Sequence, residues 1–335
     1  MKLVTFFDGK ENLGVYKGGM IYKVRDFGAA FPQTMIEYLE GEEKTYLQLL
    51  EVYNSEKLMD MKGLKPEQVK IMAPLPRPKS CRDGYAFRQH VETARRNRGV
   101  PMIPEFDQYP VFYFTNHQAI DGPGEIFCMP DHFRQLDFEL EVAIIIGKKG
   151  RNIRASEADN YIAGYTIMND LSARQLQMEE MLLNLGPAKG KDFSTVLGPW
   201  LVTPEELEPL RAETKEGHTG KQYNMKMTCR VNGIEVSSGN MNRMDWTFAE
   251  LIERASYGVD LHPGDVIGSG TVGTGCFLEL NGTGKLNDPA YIPQWLKKDD
   301  TISLEVDGLG ILTNVIRNEA SEWSIIEQKK TKSAK

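Results

Sequence analysis

Two glutamates, Glu139 and Glu141, lie two residues apart in the largely apolar stretch 136–147. Side chains at i and i+2 of a β-strand point to the same face, so a strand here would aim both carboxylates at one point. Like charges held this close repel, and burying them unpaired is very costly. A hard divalent cation, Mg²⁺ first with Ca²⁺ or Mn²⁺ as alternatives, would balance them. The competing interpretation is a surface strand whose two glutamates are solvated.

A histidine and a lysine elsewhere in the chain could add acid–base chemistry. His90 lies beside Phe87 and Val91 on the apolar face of a predicted helix, where a lone histidine is more often an ordinary packed, hydrogen-bonded residue than a functional group. Lys191 lies in the glycine-rich stretch 186–193, which lacks the second half of a phosphate-binding P-loop. This lysine is either a cation of the acidic site or a surface residue.

Arg174 and Gln177 lie on one face of a second predicted helix, followed on the same face by Met178 and Met181. A guanidinium and an amide placed in this way can stabilise negative charge on a substrate oxygen. The alternative is that Arg174 only neutralises the acidic residues nearby.

Start and stop signals define the helices that would carry these side chains. Asp83 is a good N-cap for the helix with His90. Ser172 can cap the helix with Arg174, which we expect to end near Leu185. Thr247 begins a capping box for a helix that extends to residue 256.

Strand patterns dominate the rest of the chain, which is therefore predicted to be α+β and rich in β-structure. Strands are expected at residues 3–7, 14–24 (with a turn at Gly18-Gly19), 111–114, 136–147, 161–168, 223–231, 234–237, 266–269, 276–280, 301–306 and 311–317.

Composition excludes several classes of function. The 335 residues carry a net charge of −7, and the sequence pI is about 5.5, which argues against a nucleic acid or an anionic membrane as the main partner. The four cysteines have no C-x-x-C spacing, so free thiols in a reducing compartment are expected. No apolar run approaches the ~20 residues that span a membrane, and a cytoplasmic location is expected.

The proline-rich stretch 73–78 suggests a division of the chain. We predict a small N-terminal α/β domain at residues 1–73, with short helices at 34–38 and 45–53. A catalytic domain is expected at 74–320 and a C-terminal tail at 321–335.

Six segments resemble the fumarylacetoacetate hydrolase family. They are RDGYAFRQH (82–90), DFELE (137–141), MNDLSARQLQ (168–177), GPAKGKDF (186–193), GDVIGSGT (264–271) and CFLEL (276–280). The resemblance runs in order from about residue 74 to 317. It implies a mixed β-sheet roll with a few helices around a metal site, and a homodimer.

The resemblance also implies roles for individual residues. The metal ligands would be Asp83, Glu139, Glu141 and Asp170. Catalytic roles would fall to His90 as general base, Glu279 as the group that orients it, and Arg174, Gln177 and Lys191. Substrate contacts would come from Tyr85, Gln177, Thr271 and, after a one-residue shift, Arg98.

Some positions depart from the fumarylacetoacetase pattern. Met181 replaces a substrate-facing tyrosine, Leu171 replaces a tryptophan, and a second substrate tyrosine has only Tyr113 as a nearby candidate. These departures leave the predicted metal site intact and leave the substrate open.

The expected function is metal-dependent hydrolysis of a C–C bond in a 2,4-dioxo or β-diketo acid, such as a fumarylacetoacetate-like or acylpyruvate-like molecule. The first alternative is a hydratase, isomerase or decarboxylase of a 2-oxo acid in aromatic catabolism. The second is a dimer that binds metal and carboxylate without turnover. Retention of Asp83, His90, Glu279 and Lys191 favours an enzyme, because binding alone needs no paired base.

Overall fold

The computed structural model describes residues 1–330 and shows a mixed α/β protein with extensive β-sheet. Its strands, in chain order, are β1 (Lys2–Phe7), β2 (Glu11–Lys17), β3 (Met20–Lys23), β4 (Lys70–Ile71), β5 (Ser80–Gly84), β6 (Phe112–Thr115), β7 (Ile120–Asp121), β8 (Gly124–Cys128), β9 (Leu136–Asp137), β10 (Leu140–Ile146), β11 (Gly150–Arg151), β12 (Ile162–Asp170), β13 (Ser172–Ala173), β14 (Thr195–Val202), β15 (Arg211–Ala212), β16 (Gln222–Tyr223), β17 (Lys226–Val231), β18 (Ile234–Asn240), β19 (Asp260–Leu261), β20 (Asp265–Gly268), β21 (Thr301–Val306) and β22 (Gly310–Asn318).

Helices connect and cover these strands. The α-helices are α1 (Met35–Glu40), α2 (Glu42–Asn54), α3 (Arg88–Asn97), α4 (Ala155–Ala158), α5 (Arg174–Met181), α6 (Ala188–Lys191), α7 (Pro204–Leu207), α8 (Phe248–Ser256) and α9 (Phe277–Asn287). Short 3₁₀ helices occupy Val24–Phe27, Glu56–Leu58, Pro66–Gln68, Pro104–Asp107, His132–Arg134, Asp159–Tyr161, Glu208–Leu210 and Met241–Arg243.

One large sheet runs through the molecule in the order β3-β2-β1-β14-β12-β10-β20-β5-β6, with β4 beside β1 and β7 beside β14. A five-stranded sheet, in the order β18-β17-β21-β22-β8, contacts the middle of the large sheet through β17, β21 and β22. The predicted fold class, an α+β mixed-sheet arrangement with a few helices, is confirmed.

Strand β10 lies at the centre of the large sheet, and all seven of its residues are buried. Val142 and Ile144 pack into the core that includes the five-stranded sheet, whereas Ala143 and Ile145 pack against the N-terminal residues. Burial on both faces explains the continuous apolar run. The predicted single strand 136–147 is interrupted at residues 138–139, between β9 and β10.

Local signals predict two features well. Asn232 and Gly233 have φ values of 53° and 80° and form the two-residue turn between β17 and β18. The Thr247 hydroxyl accepts the Glu250 N–H, and the Glu250 carboxylate accepts the Thr247 N–H, so the capping box is present at the start of α8.

Two predicted N-caps are wrong. Asp83 lies within β5, and α3 begins at Arg88, whose N–H is accepted by the distant Asp245 at 2.8 Å. Ser172 lies within β13, so α5 begins at Arg174 and ends at Met181, earlier than expected.

The predicted strand at 276–280 is also wrong, because helix α9 begins at Phe277. The Asp137 carboxylate accepts the N–H groups of Phe277 and Leu278 at 2.7 and 2.9 Å. A cap supplied from a distant strand therefore overrides the apolar β-like pattern.

The predicted N-terminal domain shares the large sheet with the rest of the chain through the pairing of β1 with β14.

The predicted tail 321–335 is described as far as residue 330, and its last five residues lie outside the described part. Ser324, Ile325 and Ile326 bond to Asp131. Among the described residues, no helix combines the length and apolar character needed to cross a membrane.

Candidate active site

Four carboxylates meet where neighbouring strands of the large sheet end. Asp83 lies on β5, Glu141 on β10 and Asp170 at the end of β12, while Glu139 immediately precedes β10. One carboxylate oxygen from each lies within 4.8 Å of the others, and all four residues are at most 6% exposed. The structure thus brings together Glu139 and Glu141, which the i, i+2 spacing indicated, with Asp83 and Asp170, which the family resemblance implied as further ligands.

Gly268 makes this meeting sterically feasible. Strand β20 lies between β10 and β5, and Gly268 is paired with Asp83 on one side and Ala143 on the other. A Cβ at position 268 would lie 2.4 Å from Asp83 Oδ1 and 2.8 Å from the sulfur of Met168. The missing side chain leaves room for Asp83 beside the other carboxylates.

Two buried cations reach the cluster. Lys191 Nζ lies 2.5 Å from Glu139 Oε2 and 2.7 Å from Asp170 Oδ2. Arg174 donates to Glu139 Oε1 at 2.8 Å. Although burial raises the pKa of Glu139, Lys191 and Arg174 together lower it to about 2, so this carboxylate stays ionised. Four carboxylates against two cations leave an excess of negative charge.

Glu141 and Asp83 are the two carboxyls of the cluster that neither Lys191 nor Arg174 pairs with, so their ionisation is the least favourable. Burial, then Asp83 and Glu139, raise the pKa of Glu141 well above its usual range. Burial, then Asp170, raise the pKa of Asp83 to about 7. Glu141 Oε2 and Asp170 Oδ1 are buried without a hydrogen-bond donor. Buried unpaired oxygens on an all-carboxylate donor set fit a hard divalent cation.

His90 and Glu279 form a separate buried pair next to the carboxylates. His90 Nδ1 lies 2.7 Å from Glu279 Oε2, and Glu279 Oε1 accepts the Thr274 N–H at 2.9 Å. A ring nitrogen of His90 lies within 4.8 Å of a Glu139 oxygen and of the Cys276 sulfur. This arrangement suits a base whose tautomer is set by a carboxylate.

The other predicted site residues lie at increasing distance from the carboxylates. Thr271 donates to Glu141 at 3.4 Å, and Gln177 Oε1 accepts from Arg174 at 3.0 Å. The Tyr85 ring packs edge-on against His90, with centroids 5.8 Å apart. Burial raises the pKa of Tyr85. The Arg98 side chain is exposed, and its Nε donates to the Ala94 carbonyl at 3.1 Å.

Two residues at the site were not assigned a role from the sequence. Tyr113 donates a hydrogen bond to Asp170, which places the nearest candidate for a second substrate tyrosine directly on the cluster. Asp137 is fully buried and accepts from Arg174 Nε at 2.8 Å. Its position two residues before Glu139 is the signal that could have identified it, because it extends the i, i+2 series.

Comparisons with known proteins match most of the chain. The family profile described as fumarylacetoacetate (FAA) hydrolase C-terminal matches residues 79–317. The chain is 32% identical to the mitochondrial oxaloacetate tautomerase FAHD2A of Bos taurus over 306 residues, which cover 89% of this chain and 84% of that protein. It is 30% identical to the mitochondrial oxaloacetate tautomerase of Xenopus laevis over 328 residues, covering 94% and 90%.

Solved structures have the same fold. A fumarylacetoacetate hydrolase from Exiguobacterium antarcticum superposes with a TM-score of 0.70 at 26% identity, covering 95% of this chain and all of that one. A maleylpyruvate hydrolase from Sphingobium sp. SYK-6 in complex with manganese (II) ion and pyruvate gives a TM-score of 0.67 at 20% identity, covering 95% and 99%. The chain belongs to the fumarylacetoacetate hydrolase family.

Proposed function

We propose that the protein is a divalent-cation-dependent hydrolase that cleaves a C–C bond in a 2,4-dioxo or β-diketo acid. The observation that carries this proposal is the buried His90–Glu279 pair, which stands beside the carboxylate cluster with a ring nitrogen of His90 within 4.8 Å of a Glu139 oxygen. A binding protein would have no use for a buried, carboxylate-oriented imidazole at this place.

Asp83, Glu139, Glu141 and Asp170 would hold the cation, with Mg²⁺ as the first candidate. The maleylpyruvate hydrolase structure, which is in complex with manganese (II) ion and pyruvate, supports a divalent cation and a 2-oxo acid as ligands of this fold. When bound, the cation would hold the substrate by two oxygens and stabilise the negative charge that develops on them.

His90 supplies the proton transfer. Because Glu279 accepts a hydrogen bond from Nδ1, the neutral ring keeps Nε2 free to take a proton from water. Thr274 holds the other oxygen of Glu279 and so fixes the carboxylate behind the ring. The activated water would attack the carbonyl carbon distant from the 2-oxo acid end. The bond from that carbon to its neighbour on the 2-oxo acid side would break, and the leaving enolate carbon would receive the proton that His90 took from water, which gives two acids.

Gln177 is the side chain best placed to donate to that distant carbonyl oxygen. Its Oε1 is engaged by Arg174, so its amide N–H groups are directed away from the guanidinium. Arg174 and Lys191 are each paired with Glu139 and place two positive charges beside its carboxylate. A single well-placed donor of this kind contributes about 3 kcal/mol to transition-state stabilisation.

The curated relatives favour a second candidate, an oxaloacetate tautomerase. Moving a proton between carbon and oxygen of a 2-oxo acid would need the cation and the His90 base but no attacking water. Both candidates therefore use the same residues and differ in product.

A product assay separates the two candidates. The purified protein, loaded with Mg²⁺ or Mn²⁺, is given an acylpyruvate and oxaloacetate. Loss of the enol absorbance is recorded, and the acids are identified by chromatography. Two acids from the acylpyruvate support the hydrolase, and His90→Ala should lower that rate ~10²–10⁴-fold. Keto–enol interconversion of oxaloacetate with intact acylpyruvate would overturn the hydrolase and support the tautomerase.

A further inference from the structure

Asp137 bonds to two different parts of the site at once. Its Oδ2 accepts from Arg174 Nε at 2.8 Å and from the Leu278 N–H at 2.9 Å. Its Oδ1 accepts the N–H groups of Phe277 at 2.7 Å and Phe138 at 2.9 Å. Four donors on one fully buried carboxylate are more than charge balance for Arg174 requires.

Asp137 is linked to the carboxylate cluster through Arg174. Arg174 opens helix α5, and its guanidinium bonds Asp137 through Nε and Glu139 through a terminal nitrogen. Two carboxylates thus hold the planar guanidinium in one orientation. The same group donates to Gln177, so the orientation of Arg174 also fixes the amide proposed to face the substrate.

Asp137 is also linked to His90, through the first turn of helix α9 and Glu279. Helix α9 begins at Phe277, and its N-cap residue Cys276 makes no side-chain capping bond. Asp137 supplies the cap instead, by accepting the first two N–H groups of the helix. Glu279 is the third residue of α9, so the position of the group that orients His90 depends on where this first turn is anchored.

We infer that Asp137 is a positioning residue that holds the His90–Glu279 pair in register with the Arg174–Glu139 pair. The inference rests on the proposed function for its kinetic consequences. Asp137 touches neither the substrate nor the cation in this arrangement and acts only through Arg174 and the first turn of α9. Errors of about 1 Å in such placements can cost 10²-fold in rate.

The matched control is Asp131, another buried aspartate that accepts two consecutive backbone N–H groups, those of Ile325 and Ile326, and lies 3.5 Å from an arginine nitrogen. It anchors the C-terminal segment and has no bond to α9 or Arg174 among the described residues. Asp131→Asn and Asp137→Asn therefore remove the same kind of capping charge at different places.

The first measurement does not depend on turnover. The proton shared between His90 Nδ1 and Glu279 should give a far-downfield NMR signal, assigned by its loss in His90→Gln. In Asp137→Asn one acceptor oxygen becomes an amide donor that faces N–H groups, so we expect the signal to shift or disappear. Asp131→Asn should leave it unchanged. An unaltered signal in a folded Asp137→Asn protein would overturn the inference.

The second measurement is a double-mutant cycle with the 2-oxo acid that the wild-type enzyme turns over. Asp137→Asn should lower kcat roughly 10–100-fold, by the misplacement argument above. In a Glu279→Gln background the same change should cost much less, whereas in a Thr271→Val background its cost should persist in full. Equal cost in both backgrounds would mean a general structural defect and would refute positioning.

These two measurements distinguish failure of the proposed function from failure of the inference about Asp137. If the wild type turns over no acid, the proposed function fails, while the NMR comparison still decides the role of Asp137. If Asp137→Asn does not fold, Asp137→Ser takes its place. Serine has one uncharged oxygen where Asp137 uses two, so it cannot hold both Arg174 and the first turn of α9, and the His90 signal should again shift or disappear.

Discussion

At the scale of single residues, the site is defined by charge that the protein alone does not balance. Glu141 is fully buried, one of its oxygens has no donor, and the pKa of its carboxyl is raised by burial and by Asp83. Such a group destabilises the fold whenever it is ionised without a cation. The same property makes it a strong ligand.

Glu141→Gln should therefore have opposite effects on stability and binding. The variant without metal is expected to unfold at a temperature no lower than the wild type, because the wild-type carboxyl must take up a proton on folding at neutral pH and glutamine of the same volume has no such cost. Its affinity for Mg²⁺ and Mn²⁺ should be lost. Calorimetric titration and thermal unfolding check both parts, and wild-type affinity in the variant would remove Glu141 from the ligand set.

Gly268→Ala tests whether the gap beside Asp83 is required. The added methyl group would approach Asp83 Oδ1 to 2.4 Å, so Asp83 must turn away from the other carboxylates. We expect divalent-cation affinity to fall at least tenfold with a modest loss of stability, since overpacking costs about 1–3 kcal/mol. Gly147→Ala, immediately after β10 and also without a positive φ, would bring its Cβ within 2.7 Å of the Ala163 Cβ and is the control for a general effect of overpacking.

At the scale of elements, signals confined to one segment predicted structure well, and signals that depend on distant partners did not. The turn at Asn232-Gly233 and the capping box at Thr247 involve neighbours in sequence, so the pattern contains all the information. Helices α3 and α9 are capped by Asp245 and Asp137, which lie more than a hundred residues away in the chain. No local pattern at residues 80–88 or 274–280 could indicate these caps.

The same distinction holds for the site itself. The i, i+2 spacing of Glu139 and Glu141 predicted a shared face, and the carboxylates do converge. Their counter-charges could be assigned only through the family resemblance, because Lys191 and Arg174 arrive from other elements. The steric role of Gly268 required knowledge that β20 lies between β10 and β5.

The 3₁₀ helix His132–Arg134 provides a test of pH dependence away from the carboxylates. The His132 ring packs on Phe193, and its Nδ1 accepts the Met129 N–H at 3.2 Å. Burial, then Lys189, lower the pKa of His132 to about 4. The unfolded chain, with a histidine pKa near 6.5, binds more protons than the folded chain between these values, so stability rises with pH in this window.

Acidification from pH 7 to pH 5 should therefore cost the wild type about 2 kcal/mol of unfolding free energy through His132 alone. His132→Asn keeps an acceptor for the Met129 N–H and does not titrate. Urea unfolding followed by tryptophan fluorescence at both pH values measures the difference. Equal pH sensitivity in the variant and the wild type would show that His132 is not responsible.

At the scale of the whole molecule, the predicted homodimer and the cytoplasmic location stay predictions. Light scattering at micromolar concentration checks the first, since the chain mass is 37.9 kDa and a dimer has twice that value. A mass that stays at the single-chain value as concentration rises would contradict the dimer.

The division of the chain near residue 73 also stays a prediction. Because residues 1–73 and the rest of the chain share the large sheet, the effect of separating them can be predicted. Residues Leu3, Leu13 and Val15 pack in one apolar cluster with Ile145 and other residues of the larger part, and β1 pairs along β14.

A chain that begins at residue 74 would expose that apolar surface and leave β14 without its neighbour β1. Exposed apolar strand edges promote aggregation, so this shortened chain should scatter light or unfold at a markedly lower temperature. The control is the full-length protein with Leu13→Ala, which removes one buried side chain from the same apolar cluster and keeps β1 paired with β14. This substitution should lower the free energy of unfolding by about 2–5 kcal/mol and leave the protein soluble. A shortened chain that stays soluble and unfolds at the full-length temperature would show that residues 1–73 are a separate domain in the energetic sense. The pairing of β1 with β14 would then contribute little to the stability of the larger part.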